Sequence, residues 1–404
     1  PEYHWNDYAG LDVKGKTVIV LVNDPGYQSG KPTFFKGDTM TYYGRWTYKY
    51  EEAARQGAAG VLIIHQTKPA SYPWSVVQSS FTGAHLYLKD TAGHRGRCKM
   101  EGWITYDAAK RLLASAGIRG DFTAMARKRG FKPVPLNEKL SVGFTNHIRY
   151  NVSHNVIAVF PGSRTPPQYL IYTAHWDHLG VGIPVSGDSI YNGAVDNASG
   201  VGALLAIAKA YTLLSEKPGR SIVFLAVTAE EQGLLGSGYY GEHPVYPLNR
   251  TVADLNMDAL GNYGKTSDIV ITGLGQSYLE KDVSEIAAAK GLTVRGDLNP
   301  ASGSYFRSDH FSFAKVGVPS LDINNGLESA DHDKAWTDSL RREFGQHHYH
   351  QPSDEYSPDM NADGMVEIAR ILFELGCKLG SENTFPGWKP GSAFKARRAA
   401  MMSK

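Results

Sequence analysis

Beyond residue 150 the chain repeats one arrangement: an apolar run of five to seven residues, a polar turn, then a segment of helical period. The apolar runs fall at residues 155–160, 169–173, 221–227, 252–256, 268–272 and 319–323, and the helical segments at 201–214, 279–290 and 364–379. Strands that are apolar throughout, rather than on alternate residues, must be buried on both faces. Alternation with amphipathic helices supplies the cover, so the pattern predicts an α/β fold, with a mixed, largely parallel central sheet between two helical layers. In such sheets functional residues collect where the strands end at their carboxyl edge. The polar residues that follow each run are therefore the ones to read for chemistry.

Composition narrows the classes. Among 404 residues, 42 Lys+Arg stand against 40 Asp+Glu, a formal net charge of +2. This leaves no basic excess for phosphate contacts, so no nucleic-acid partner is expected. No apolar run approaches the roughly 18 residues that span a bilayer. The two cysteines, Cys98 and Cys377, are too few and too far apart for a disulfide framework or a thiolate metal site. The chain starts at Pro1 without a methionine or a charged-then-apolar leader, read here as a removed leader or a missing beginning. A periplasmic or secreted location is expected.

Residues 127–135 (Arg-Lys-Arg-Gly-Phe-Lys-Pro-Val-Pro) are basic, proline-rich and aperiodic, as a domain boundary is. Before them the chain reads as a smaller α/β domain: strands at 17–22 and 58–65, helices at 42–56 and 106–115. No cluster of acid, base or nucleophile stands out there, and its Tyr and Trp residues at helical spacing read as packing. The expected division is an accessory domain over 1–135, a catalytic domain over 136–385, and a basic, solvated or subunit-contacting tail over 386–404.

The run at 169–173 leads into Ala174-His175-Trp176-Asp177-His178, that at 221–227 into Thr228-Ala229-Glu230-Glu231, and that at 252–256 into Met257-Asp258. The helix at 201–214 is preceded by Gly193-Ala-Val-Asp196-Asn197-Ala-Ser-Gly200, and Tyr349-His350-Gln-Pro352-Ser-Asp354 comes late. Singly, each piece has a plain reading: a hydrogen-bonded His, an N-cap Asp, a solvated Glu pair. Together, Asp196, Glu230, Glu231 and Asp258 would crowd one strand edge, repel one another and be driven toward protonation. Divalent cations remove that penalty, and His175 and His350 supply the nitrogen that favours zinc. The donor count suggests two Zn2+ ions held by His175, Asp196, Glu231, Asp258 and His350. That leaves Glu230 beside a ligand. Adjacent residues at a strand end point to opposite sides, so Glu230 can face the nucleophilic water as general base. Asp177 is placed to hold the second nitrogen of His175.

These motifs, with Thr228-Ala-Glu230-Glu231-Gln-Gly233-Leu-x-Gly236-Ser237 and Arg307-Ser-Asp-His310, occur in an order that resembles the co-catalytic di-zinc exopeptidases, which include bacterial leucyl aminopeptidases and glutamate carboxypeptidase. The resemblance implies that Asp196 bridges two ions, that His175 and Asp258 complete one sphere and Glu231 and His350 the other, and that Glu230 is the base. It selects His350 from the His347-His348-Tyr349-His350 run, and it implies a cis Asp196–Asn197 peptide bond. It also implies a peptide substrate. The first 130 residues resemble the protease-associated domain often inserted in these enzymes, residues 50–65 most specifically.

Tyr349 reads either as an oxyanion donor or as a tyrosine packed under the site. Arg307 reads either as a dock for a terminal carboxylate or as a structural ion-pair partner. Aminopeptidase activity is the preferred expectation. Carboxypeptidase activity, a single-zinc glutaminyl cyclase and a receptor-like relative without metals are the alternatives. Residues 325–346 are expected to shape the substrate pocket.

Overall fold

The computed structural model describes residues 3–80, 84–89, 96–165 and 167–403; Pro1 and Lys404 lie outside them. The chain forms two compact units. One comprises residues 1–151 with 299–306, the other residues 152–298 with 307–404. The first unit thus runs past the boundary expected at 135, and it takes in a second, later stretch that no composition change marks.

In the first unit, β1 (Thr17–Leu21), β2 (Gly60–Ile64) and β3 (Met100–Ile104) form a parallel three-stranded sheet with β2 at its centre. Helix α1 (Trp46–Arg55) turns Tyr50 and Ala53 into the core with Val13, Val22, Ala58, Val61 and Ile63. The helix expected from residue 42 begins later, because residues 42–44 form one 3-10 turn and Arg45 is extended. Helix α2 (Tyr106–Ser115) is capped by the Thr105 hydroxyl, which accepts from Ala108 N at 3.2 Å. Residues 131–151 carry no regular structure and are mostly exposed.

The second unit is built on β4 (Val156–Phe160), β5 (Tyr169–His175), a hairpin of β6 (Gly180–Val185) and β7 (Asp188–Tyr191), β8 (Ser221–Val227), β9 (Thr251–Asn256), β10 (Asp268–Ile271), β11 (Thr293–Arg295) and β12 (Ser320–Asn325). Seven of these make one sheet in the order β11-β10-β12-β9-β5-β8-β4. Within it β5 runs parallel to both β8 and β9, while β4 against β8 and β10 against β12 are antiparallel. The mixed, largely parallel α/β sheet is as expected.

Strand alternation divides the core between the two faces. Leu170, Tyr172, Ile222 and Phe224 pack with α3 (Ser199–Thr212), α4 (Leu279–Ala289) and α5 (Asp363–Ser381). Ile171, Val223, Leu225 and Val227 pack on the other face with Tyr240, Phe313 and Val318. Each fully buried aliphatic side chain there contributes roughly 1.5–3 kcal/mol. Among the described residues no helix is long and apolar enough to cross a membrane.

Residues 386–403 correct the expectation of a solvated tail. Trp388 and Phe394 are buried, and Arg398 donates to the carbonyls of Leu248 at 3.1 Å and Thr251 at 2.8 Å. The tail's basic composition hid two aromatic anchors and an arginine that satisfies buried carbonyls instead of facing water. Residues 325–346, expected as a loop, contain helix α6 (Lys334–Glu343), capped by Asp333, whose carboxylate accepts from Trp336 N at 2.9 Å.

Candidate metal centre

Strand register determines where the centre forms. Thr173 is paired with Asn256, so His175 and Asp258, each two residues further along parallel neighbours, come level with each other. His175 is also paired with Val227, the last residue of β8, and Glu230 and Glu231 follow just beyond it. Because β9, β5 and β8 are adjacent and parallel, all three carboxyl ends open on the same side.

Asp196 arrives from a different direction, in the turn that leads into α3. Asp354 holds this turn: its carboxylate accepts from Val195 N at 2.9 Å and Asp196 N at 3.1 Å, and its carbonyl from Ala194 N at 3.0 Å. The late Tyr349–Asp354 segment therefore contributes a buried brace as well as a histidine. The Asp196–Asn197 bond is cis. Asn197 donates to Met257 O at 2.9 Å and accepts from Gly200 N and Ala259 N, tying the turn to the end of β9. A side chain at Gly200 would collide with Asn197 Oδ1 and Met257 O, which is why the helix can start so close to both.

The five expected donors meet. His175 Nε2 lies 3.1 Å from Asp258 Oδ1 and 3.2 Å from Asp196 Oδ1. His350 Nε2 lies 3.2 Å from Asp196 Oδ2 and 3.2 Å from Glu231 Oε2. Asp196 thus turns one oxygen to each histidine. Buried in this way, His175 would ordinarily lose its proton, but Asp196 and Asp258 hold its pKa far above the usual imidazole value. Burial works against the Asp196 carboxylate too, yet His175 and His350 keep it well below the usual range.

Glu230 sits differently. Among the described residues no N–H or hydroxyl is recorded as donating to its carboxylate, and burial, reinforced by Asp258, Asp309 and Glu231 and opposed by His175, pushes its pKa well above normal. Strand alternation does not separate it from Glu231, because β8 stops at Val227 and Ala229 has φ 55°. The pair lies in a turn, and Asp177 shapes that turn by accepting from Glu230 N at 3.1 Å and Glu231 N at 3.4 Å. It is the main-chain carbonyl of Asp177 that meets His175 Nδ1, at 3.1 Å, while its carboxylate stays 3.8 Å away. Tyr349 is half exposed and stacks on His350, with ring centroids 3.9 Å apart. Withdrawal of its hydroxyl from water and the surrounding carboxylates, Asp196 first, raise its pKa well above the phenol value. Arg307 is exposed.

The sequence reading missed His178. Its Nδ1 lies 2.7 Å from Glu231 Oε1, and its ring lies 5.7 Å from that of His350. The signal was available in the His175-x-x-His178 spacing, but a position after the strand end has no fixed direction until the turn is known. Donor atoms of His175, Asp196 and Asp258 lie within 4.8 Å of one another, as do those of His178, Asp196 and Glu231. Two imidazole-and-carboxylate groups that share Asp196 are a donor chemistry suited to a pair of zinc ions. The orphaned buried atoms Glu231 Oε1, His178 Nδ1 and His178 Nε2, none of which has a hydrogen-bond partner among the described residues, fit the same use.

The sequence profile of Peptidase family M28 matches residues 155–376. The chain is 30% identical over 221 residues to Aminopeptidase YwaD of Bacillus subtilis (strain 168), covering 52% of this chain and 40% of that protein. It is 35% identical over 175 residues to Aminopeptidase NAALADL1 of Mus musculus, covering 41% and 22%. The chain therefore spans less than half the length of these curated relatives. Among solved structures it is similar to the aminopeptidase from Aneurinibacillus sp. strain AM-1, at 20% identity, TM-score 0.47, over 95% of this chain and 72% of that one. The profile match takes in the strand ends, the Asp196 turn and the His350 segment together, and on it the chain belongs to peptidase family M28.

Proposed function

We propose that this chain is a zinc-dependent exopeptidase that removes the amino-terminal residue of a peptide. The observation that carries the reading is Asp196, with one carboxylate oxygen 3.2 Å from His175 and the other 3.2 Å from His350. In this reading His175, Asp196, Asp258, Glu231 and His350 would hold two Zn2+ ions, and the pair would supply Lewis acidity toward the scissile carbonyl and the attacking water.

The chain's own residues do the rest. Glu230, with a raised proton affinity and no donor of its own, takes a proton from the attacking water and delivers it to the leaving amine. Asp177 holds the Glu230–Glu231 turn by its two N–H groups, so the base and its neighbour keep different directions. Tyr349, stacked on His350 with its hydroxyl kept protonated, donates to the developing oxyanion. The two relatives described above, both aminopeptidases, support this choice of terminus, while a Glutamate carboxypeptidase 2 homolog of Caenorhabditis elegans, 35% identical over 205 residues, stands behind the alternative. The first unit, a small parallel α/β body, is the accessory domain in this reading.

The test is a panel of free and N-acetylated peptides, with and without a zinc chelator. Free peptides should lose their first residue, acetylated ones should survive, and the chelator should abolish turnover until zinc is restored. Cleavage of blocked peptides from the carboxyl end would make this a carboxypeptidase. Turnover indifferent to the chelator would remove the metals from the reaction.

A further inference from the structure

We propose that His178 is a third imidazole donor of the metal pair, joining Glu231 and His350 in their half of the centre. The inference rests on the two-zinc reading above and extends it to a residue outside the five donors. The His178 side chain is only 6% exposed, and neither ring nitrogen has a hydrogen-bond partner among the described residues. A buried imidazole left in that state costs free energy that a partner would recover. Its Nδ1 is 2.7 Å from Glu231 Oε1, yet that oxygen too has no aligned hydrogen bond. One cation between them satisfies the ring and the oxygen at once.

Two further observations fit a built position. The donor atoms of His178, Asp196 and Glu231 lie within 4.8 Å of one another, so a small side-chain adjustment would bring all three onto one cation with bonds of about 2 Å. The ring also occupies space that the chain keeps open for it. Gly193, at φ 69°, faces His178 so closely that an added Cβ would lie 2.6 Å from its Cγ. The same Cβ would lie 2.4 Å from Asp196 O, so both the bridging turn and the imidazole require glycine there.

The two halves of the centre then differ in chemistry. One has His175 and Asp258 beside the shared Asp196; the other has His178, His350 and Glu231. Added nitrogen favours zinc and its late transition-metal neighbours, so the half with Glu231 should hold its ion the more firmly of the two.

X-ray absorption at the zinc edge, on the full chain loaded with two zinc ions, tests this by counting imidazoles. Wild type should show three imidazoles shared by two ions, and His178→Ala two. Competition with a chromophoric chelator should show the tighter ion weakened by at least about tenfold in the variant. His178→Gln separates a ligand from a brace, because the amide can still donate to Glu231. Zinc affinity restored by Gln, or an equal imidazole count in wild type and His178→Ala with both ions bound, overturns the proposal and leaves the exopeptidase reading standing. A wild-type chain that binds no pair of zinc ions overturns both. Far-UV circular dichroism of the two variants confirms that the comparison is between folded proteins.

Discussion

Asp268 and Glu230 belong to the same unit, Asp268 fully buried and Glu230 partly so, and the chain treats them in opposite ways. Asp268, at the head of β10, accepts from Leu327 N at 2.9 Å and Glu328 N at 2.8 Å and lies 2.5 Å from Arg295 Nε. Glu280, in the first turn of α4, is equally well supplied. It accepts from the N–H groups of Gly275, Gln276 and Ser277 and pairs with Lys389. Beyond β8, the side chains of Glu230 and Glu231 receive no backbone N–H of this kind among the described residues, although the neighbouring Asp177 does. Glu230 accepts from no N–H or hydroxyl among the described residues, Glu231 keeps a buried oxygen unbonded, and the groups nearest Glu231 are the imidazoles of His178 and His350. Desolvating a carboxylate costs several kcal/mol unless something compensates. Where the compensation is built in, the carboxylate is structural. Where it is withheld, a cation or a proton would supply it.

Three substitutions can break or sharpen that contrast. Glu230→Gln keeps size and shape but removes the proton acceptor. It should lower kcat by about 10²–10⁴-fold while zinc content, read by elemental analysis, stays at wild-type level. Unchanged turnover would take the proton transfer away from Glu230.

Asp268→Ala leaves the N–H groups of Leu327 and Glu328 without their acceptor and takes from Arg295 the nearer of its two carboxylates, the other being Glu328 at 3.1 Å. Loss of one member of such a pair costs roughly 3–5 kcal/mol, and the lower end is expected because Arg295 is partly exposed. Urea denaturation measures this, and kcat per folded molecule should not move. A variant that is stable but inactive would show that Asp268 belongs with the site after all.

Asp24, in the first unit, is the intermediate case. Its carboxylate accepts from Thr41 N and Thr41 Oγ1, yet burial still raises its pKa from 3.8 to about 6. The folded state therefore binds this proton more tightly than the unfolded one. Its contribution to stability is complete below pH 3.8 and is lost as the pH rises through about 6. Asp24→Asn has no such slope, so between pH 4 and pH 8 it should gain on wild type by up to about 3 kcal/mol. The same stability difference at both pH values would mean that Asp24 is as well compensated as Asp268.

Much of the centre was legible because its residues follow apolar runs directly. A buried strand announces itself in one dimension, and His175, Glu230, Glu231 and Asp258 each lie within four residues of a strand end. Directions beyond the strand end were not legible. Glu230 and Glu231 were separated on paper by strand alternation, whereas a turn at Ala229 and the carboxylate of Asp177 separate them in the fold. The same uncertainty hid His178. In the segment 386–403, net basic charge pointed to solvent, but burial is decided by individual side chains such as Trp388 and Arg398.

By itself the sequence determined the layered α/β plan, the strand ends that carry chemistry, and the donor types gathered there, because all of these depend on local periodicity and residue type. Only the tertiary structure decided which oxygens of Asp196 face which histidine, which carboxylates go uncompensated, and that His178 joins them. Those depend on strand order and on turns whose direction is set by hydrogen bonds between residues as far apart as Asp196 and Asp354. A partner 158 positions away leaves no periodic trace in the chain between.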